Sequence, residues 1–199
     1  MKLKIDDTLV IATHNHSKLE EIKVLLEPYQ LNIKSSESLD VAEPDETETT
    51  FAGNALLKAR YTANKTGYVS LADDSGLSVP ALDGMPGIYS ARWGGPERDF
   101  QMACEKVNHR LGDKPRKAYF ICVLAVVWPD GSAKIFKGQT QGQLVWPTRG
   151  EKKFGYDSMF VPNGDTRTYG EMTIAEKSLT SHRTKAFALF KRSLLPMIL

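Results

Sequence analysis

The run Thr8-Leu9-Val10-Ile11-Ala12-Thr13-His14-Asn15-His16-Ser17-Lys18-Leu19-Glu20 decides the architecture. Thr8 to Thr13 is short, apolar and β-branched, which predicts a buried strand. It breaks at the polar cluster His14-Asn15-His16. Ser17 and, three residues later, Glu20 spell a capping box. Leu19, Ile22, Leu26 and Tyr29 then recur at helical spacing, and Pro28 marks the exit. A strand, a polar turn and a helix in this order are the opening of an α/β fold.

Working outward, an acidic loop from Glu43 to Thr50 leads into a helix over about 50–65 that stops at Gly67. Ala52, Leu56, Ala59 and Ala63 form its expected inward face, with Asn54 and Lys58 together on another. Tyr68 to Ala72 reads as a buried strand ending at Asp73-Asp74-Ser75-Gly76. Pro80 to Pro96 is a long Gly- and Pro-rich loop, a kind that in compact domains usually serves function. A third helix fits Pro96 to Leu111, with Phe100, Cys104, Val107 and Leu111 inward. Ala118 to Trp128 and Ser132 to Thr140 form a hairpin around Pro129-Asp130-Gly131. Gln143 to Trp146 is a further strand, and a last helix begins near Ser181 with Phe187, Phe190 and Leu194 on one face. The expectation is a single α/β domain over 1–199 with a mixed sheet.

Composition narrows the function classes. The chain has 199 residues, 41% of them hydrophobic and 25% charged, which excludes a disordered or collagen-like chain. Twenty-six Lys and Arg against 24 Asp and Glu leave a net charge of +2, too small for a protein that coats nucleic acid. The apolar run Ile121 to Trp128 is far short of the ~20 residues of a membrane-spanning helix. Lys2 and Lys4 are followed by Asp6 and Asp7, which does not make a signal peptide. Cys104 and Cys122 sit in no paired motif and read as reduced core residues of a cytoplasmic protein.

Five segments carry chemistry-bearing residues. Thr13-His14-Asn15-His16-Ser17-Lys18 stands at a helix start, where free backbone N–H groups and a lysine suit phosphate; an ordinary capped turn would look the same. Asp45-Glu46 and Asp73-Asp74 are acidic pairs. Two adjacent acids at the end of a buried strand need a cation, a metal or solvent beside them, and oxygen ligands without His or Cys suit Mg²⁺. Glu176-Lys177-Ser178-Leu179-Thr180-Ser181-His182-Arg183 places His182 and Arg183 in a first helical turn, against the helix dipole. Phe154-Gly155-Tyr156-Asp157 offers two aromatics to a planar base, or a plug for the core. No Walker motif, G-x-G-x-x-G, zinc spacing or G-x-S-x-G elbow is present.

Five segments in order resemble the inosine triphosphate pyrophosphatase family. Ile11 to Lys18 is similar to A-T-(G/H)-N-x-(G/S/K)-K, and Glu46 to Arg60 to E-T-x-x-T-F-x-x-N-A-x-x-K-A-(R/E). Leu71 to Gly94 resembles the family through DDSGL and PGIYSAR, Phe154 to Phe160 through F-G-Y-D-P-x-F, and Glu176 to Ala186 through E-K-x-x-x-S-H-R-x-x-A. Ser17 stands where a Gly is common and Ser158 where a Pro is usual. The resemblance implies an elongated mixed β-sheet flanked by helices, in two lobes with a nucleotide cleft between them, and a homodimer. It implies Mg²⁺-dependent hydrolysis of ITP, dITP and XTP to the monophosphate and pyrophosphate. By the same resemblance Thr13, His14, Asn15 and Lys18 hold the triphosphate. Asp74 is proton acceptor and metal ligand, Asp45 or Glu46 is a second metal ligand, and Lys58 assists catalysis. Ser75, Phe154, Gly155, Tyr156, Asp157, Lys177, His182 and Arg183 bind nucleotide, with Phe154 and Tyr156 stacking on the base. Lys18 and Lys58 are expected to be exposed cations. Two rivals are a non-catalytic nucleotide- or RNA-binding module and a phosphatase that releases orthophosphate. No nucleic-acid polymer and no membrane is expected as a partner.

Overall fold

The protein is described by a computed structural model covering residues 2–151 and 154–196. Its sheet has six strands in the order β2-β1-β3-β4-β5-β6: β1 Thr8–Ile11, β2 Asn32–Ser35, β3 Val69–Ser78, β4 Lys117–Val127, β5 Ala133–Leu144 and β6 Phe160–Pro162. β1 runs parallel to both β2 and β3, Leu9 facing Val69, whereas β5 and β6 are antiparallel, Gln143 facing Val161. The sheet is therefore mixed, as expected. Helices α1 His16–Leu26, α2 Phe51–Thr66, α3 Phe100–Leu111, α4 Ile174–Thr180 and α5 His182–Leu194 flank it. No helix among the described residues is long and apolar enough to cross a membrane.

Local chemistry explains these bounds, with some departures from expectation. α1 is capped by Asn15, whose Oδ1 accepts the Lys18 N–H at 3.2 Å; Ser17 lies inside the helix. Asn caps as well as Ser does, and Asn15 has the extended backbone that an N-cap requires. α2 begins at Thr50, which caps Gly53 N–H, and ends at Gly67, where the chain turns left-handed at φ 69°. β3 does not stop at Ala72 but continues to Ser78, so Asp73 and Asp74 lie within the strand. β5 likewise runs on to Leu144, absorbing the first half of the strand expected at 143–146. α3 starts only at Phe100, because Asp99 caps the N–H groups of Gln101 and Met102. The Pro80 to Pro96 loop holds short 3₁₀ turns at Pro80–Leu82, Gly87–Tyr89 and Arg92–Gly94.

The chain divides into two compact units. The first is Met1–Asp74, Val123–Lys137 and Ala186–Leu199; the second is Ser75–Cys122 and Gly138–Lys185. In the first, Leu9, Val10, Ile11, Leu19, Ile22, Leu26, Leu71, Leu124 and Val126 are buried with Phe187, Phe190 and Leu194 of α5. Phe190 meets Phe136 and Phe187 edge-on, at 5.8 and 6.0 Å between ring centroids. Each such phenylalanine contributes on the order of 2–3 kcal/mol by burial. The second unit has its own core of Leu77, Val79, Cys104, Val107, Leu111, Phe120, Tyr156, Met159, Phe160 and Tyr169. Cys104 and Cys122 are buried and not joined in a disulfide, as the sequence suggests, and burial pushes the Cys104 thiol up to about 12.

Candidate active site

The first unit gathers charge around two lysines. Lys18 in α1 reaches Asp73 Oδ2 in β3 at 2.8 Å. Lys58 in α2 reaches Glu46 Oε1 at 2.6 Å. Glu46 is held near α2 by its loop, where the Glu48 N–H donates to Asn54 Oδ1 at 3.0 Å. Lys58 is not the exposed cation expected: it is only 6% exposed, on a face of α2 with Asn54, Ala55, Ala59, Thr62 and Ala63. Asn54 and Lys58 thus belong to the inward face, while Ala52 and Leu56 are half-buried. The departure is electrostatic. Burial works to lower the Lys58 pKa, but Asp73, Asp74 and Glu46 outweigh it and hold the ammonium above its usual range.

Asp74 has the opposite balance. Burial raises its carboxyl to about 6; Lys58 and Lys18 oppose the shift, and Glu46 and Asp73 add to it. A carboxylate poised there is suited to take a proton near neutral pH. Of the acidic pair before α2, Glu46 joins this cluster, whereas Asp45 is exposed. Thr13 is buried, and its Oγ1 accepts the Asn15 N–H at 3.2 Å, shaping the turn into α1. His14 is turned toward the chain beyond β2, its Nε2 3.1 Å from Val41 O and its Nδ1 3.9 Å from Glu43.

The second unit gathers a different set. Lys177 in α4 donates to Asp157, and its Nζ lies 5.8 Å from the Phe154 ring centroid and 5.5 Å from that of Tyr169. Burial raises the Asp157 carboxyl, against the opposing charges of Lys177 and Arg183. His182 opens α5, buried and stacked on Phe120 at 4.9 Å and 16°. Ser181 caps that helix, as expected, accepting the Thr184 N–H at 3.1 Å. Ser75 and Arg183 are both half-buried. The two aromatics of the 154–157 segment separate on either side of Gly155. Phe154 is 52% exposed, whereas Tyr156 is 2% exposed, edge-on to Phe100 and donating from its hydroxyl to Ser90 O at 2.8 Å. The stacking role expected of both rings therefore has an open face only at Phe154.

Sequence reasoning missed α4, which carries Lys177, although Thr173-Ile174-Ala175-Glu176 signals it. The Thr173 side chain caps Glu176 N–H and Glu176 returns to Thr173 N–H, a complete capping box. It also missed Ser90, which bonds to Leu77, Gly87 and the Tyr156 hydroxyl; nothing in the residue type announces that.

A mixed α/β sheet with part-buried lysine–carboxylate pairs around its helices and central strand defines a class: α/β proteins able to hold an anionic ligand. The family model described as the Ham1 family matches residues 9–193, and the chain belongs to that family. It is 52% identical over 189 residues to a protein of Caulobacter vibrioides named dITP/XTP pyrophosphatase, covering 94% of this chain and 97% of that one. A protein of the same name from Gluconobacter oxydans is 47% identical over 190 residues, with 95% and 91% covered. Among solved structures, a HAM1 protein from Coxiella burnetii matches with TM-score 0.89 and 34% identity, covering 94% of this chain and 97% of that one. A nucleoside-triphosphatase / dITP/XTP pyrophosphatase from Mycobacterium abscessus matches with TM-score 0.81 and 38% identity, covering 96% and 100%.

Proposed function

We propose that the chain hydrolyses non-canonical purine nucleoside triphosphates (dITP, ITP and XTP) to the monophosphate and pyrophosphate. The observation that carries the reading is Asp74: a carboxyl raised to about 6 by burial, beside the Lys58 ammonium, in a chain of this family. Thr13, Asn15 and Lys18 hold the triphosphate at the start of α1, where backbone N–H groups favour an anion. Lys18 then divides its charge between Asp73 and phosphate. Asp74 orients a water toward the α-phosphorus and takes its proton. The bond from that phosphorus to the bridging oxygen breaks, and pyrophosphate leaves with the electron pair. Lys58 offsets charge that builds on the phosphate oxygens.

The donor set fits Mg²⁺. Its ligands are carboxylate oxygens alone, three of them around two lysines, with neither His nor Cys among them. No group of three or more His, Cys, Asp or Glu among the described residues makes a ready protein cage for a metal. Mg²⁺ commonly binds through one or two carboxylates and completes its shell with water and substrate phosphate. Asp74 and Glu46 would hold it, and Glu46 is preferred to the exposed Asp45. When bound, the ion neutralises phosphate charge.

The second unit carries the groups for the base. Phe154 stacks on it, while Asp157, Lys177, His182 and Arg183 supply polar contacts, with Ser75 toward the sugar and phosphates. Homodimer formation and a cytoplasmic location complete the reading. The family resemblance supports the first, and two buried cysteines in thiol form support the second. Incubation with ITP and Mg²⁺, with pyrophosphate and orthophosphate assayed separately, tests it. Pyrophosphate in equal amount to IMP is expected. Orthophosphate as first product would favour a phosphatase, and binding without turnover a non-catalytic module.

A further inference from the structure

Ser90, in the loop between β3 and α3, is buried and ties β3, its own loop and the Tyr156 side chain together within the second unit. Its Oγ donates to Gly87 O at 2.6 Å and accepts the Leu77 N–H of β3 at 2.9 Å. Its carbonyl accepts the Tyr156 hydroxyl at 2.8 Å. The junction has no slack: a Cβ on Gly76 would sit 2.4 Å from Ser90 Oγ and 2.5 Å from Gly87 O. Burial raises the Tyr156 phenol far above its usual range, so it stays a protonated donor at any working pH. Tyr156 lies between the exposed Phe154 and the buried Asp157, the two residues of its loop assigned to the base. The Asp157 N–H donates to Phe154 O at 3.3 Å, and the Met159 N–H to Tyr156 O at 3.1 Å, so the loop turns about the anchored tyrosine.

We propose that Tyr156 and Ser90 are positioning residues, a hydroxyl–carbonyl tether that fixes the base-binding loop to the strand segment just after Ser75. The stacking face of Phe154 and the carboxylate of Asp157 are then set by a bond neither residue makes. The proposal rests on the functional reading for its kinetic outcome and on the hydrogen bonds above for its physical one.

Tyr156→Phe removes the hydroxyl and keeps the ring, so the core remains filled. Amide hydrogen exchange should rise together in residues 154–159 and 75–90 and stay unchanged in 8–66. The KM for ITP should rise roughly 3–10-fold, the range one lost hydrogen bond permits, with the larger part of the loss in kcat/KM falling on KM. Inhibition by inorganic tripolyphosphate, which has no base, should be unaltered. Ser90→Ala, which opens the Leu77 end of the junction, should give the same exchange pattern. Faster exchange confined to 154–159, an unchanged KM, or equal weakening of ITP and tripolyphosphate would overturn the tether as a positioning device. If the wild type fails to turn over ITP, the functional reading fails, and the exchange measurement still decides whether the tether exists.

Discussion

The two units each pair lysine with carboxylate in a part-buried setting, yet with opposite charge balance. In the first, Lys18 and Lys58 face Asp73, Glu46 and Asp74, three acids for two ammoniums. In the second, Asp157 answers to both Lys177 and Arg183, and two aromatic rings lie against the lysine. An excess of buried carboxylate is costly until a cation or a proton joins it. In the proposed reading that cation is a metal, which would bring a polyanion with it. An excess of donors suits a neutral ligand rich in acceptors, such as the oxo groups of hypoxanthine and xanthine. Charge balance, more than residue type, separates the proposed hydrolytic half from the proposed recognition half.

The largest test of this contrast is Asp74→Asn. Removing the proton acceptor should lower kcat by about 10²-fold or more, measured as pyrophosphate release. The same change should raise stability. The folded carboxyl titrates at about 6, against an ordinary value of 3.8. Between roughly pH 4 and 6 the native protein keeps a proton that the unfolded chain has lost, so stability falls as pH rises through that window. Above it the ionised carboxylate carries a constant cost of about 3 kcal/mol, of which charge–charge terms are a part. In EDTA at pH 8 Asp74→Asn should therefore melt above wild type, and at pH 4 level with it. Wild-type turnover in the variant would remove Asp74 from the chemistry.

Lys58→Met should behave in the opposite sense. It leaves three acids with one ammonium in a buried setting, where breaking a pair costs about 3–5 kcal/mol before relaxation. Proton uptake by Asp74 limits the damage, so a loss of about 2 kcal/mol at pH 8, shrinking toward pH 5, is expected from thermal or urea denaturation. Lys18→Met, at a side chain open to solvent on one side, should cost far less stability and act on triphosphate binding. Equal stability losses for the two lysines would mean that burial does not distinguish them.

In the recognition half, Arg183→Ala should narrow the preference for ITP over ATP by about tenfold in kcat/KM, mainly through lost ITP activity. Arginine only donates hydrogen bonds, so a 6-oxo group satisfies it and a 6-amino group leaves a donor unpaired. An unchanged ITP/ATP ratio would assign base reading to another group.

How far the sequence could be read follows the same division. Periodicity found α2, α3 and α5, and β-branched runs found β1 and the β4–β5 pair, because those signals are local. It placed Lys58 on the wrong face of α2, because a lysine turns inward only where carboxylates wait, and Glu46, Asp73 and Asp74 come from other segments. Asp73-Asp74 looked like a strand end, since two acids disfavour a buried strand; the lysines that permit one lie 55 residues away in the case of Lys18. The same hidden partner separates Glu46 from Asp45. Within Phe154-Gly155-Tyr156-Asp157, only the Ser90 carbonyl, 66 residues distant, tells the anchored ring from the exposed one.

The smallest expected effect on the contrast is that of Phe154→Ala. The ring is half-exposed, tilted against Phe100 at 6.3 Å, so its loss should change stability by less than about 1 kcal/mol. Stacking on a base is worth about 1–3 kcal/mol and does not depend on which edge groups the base carries. An exposed ring belongs at the low end, about fivefold in kcat/KM. ITP and ATP should lose activity in the same proportion, because every purine has a π-face. The ITP/ATP ratio of Phe154→Ala should thus equal that of wild type, while Arg183→Ala shifts it. A ratio that moves in Phe154→Ala would mean that the ring also orients the base against Arg183, and that stacking and edge reading are one device rather than two.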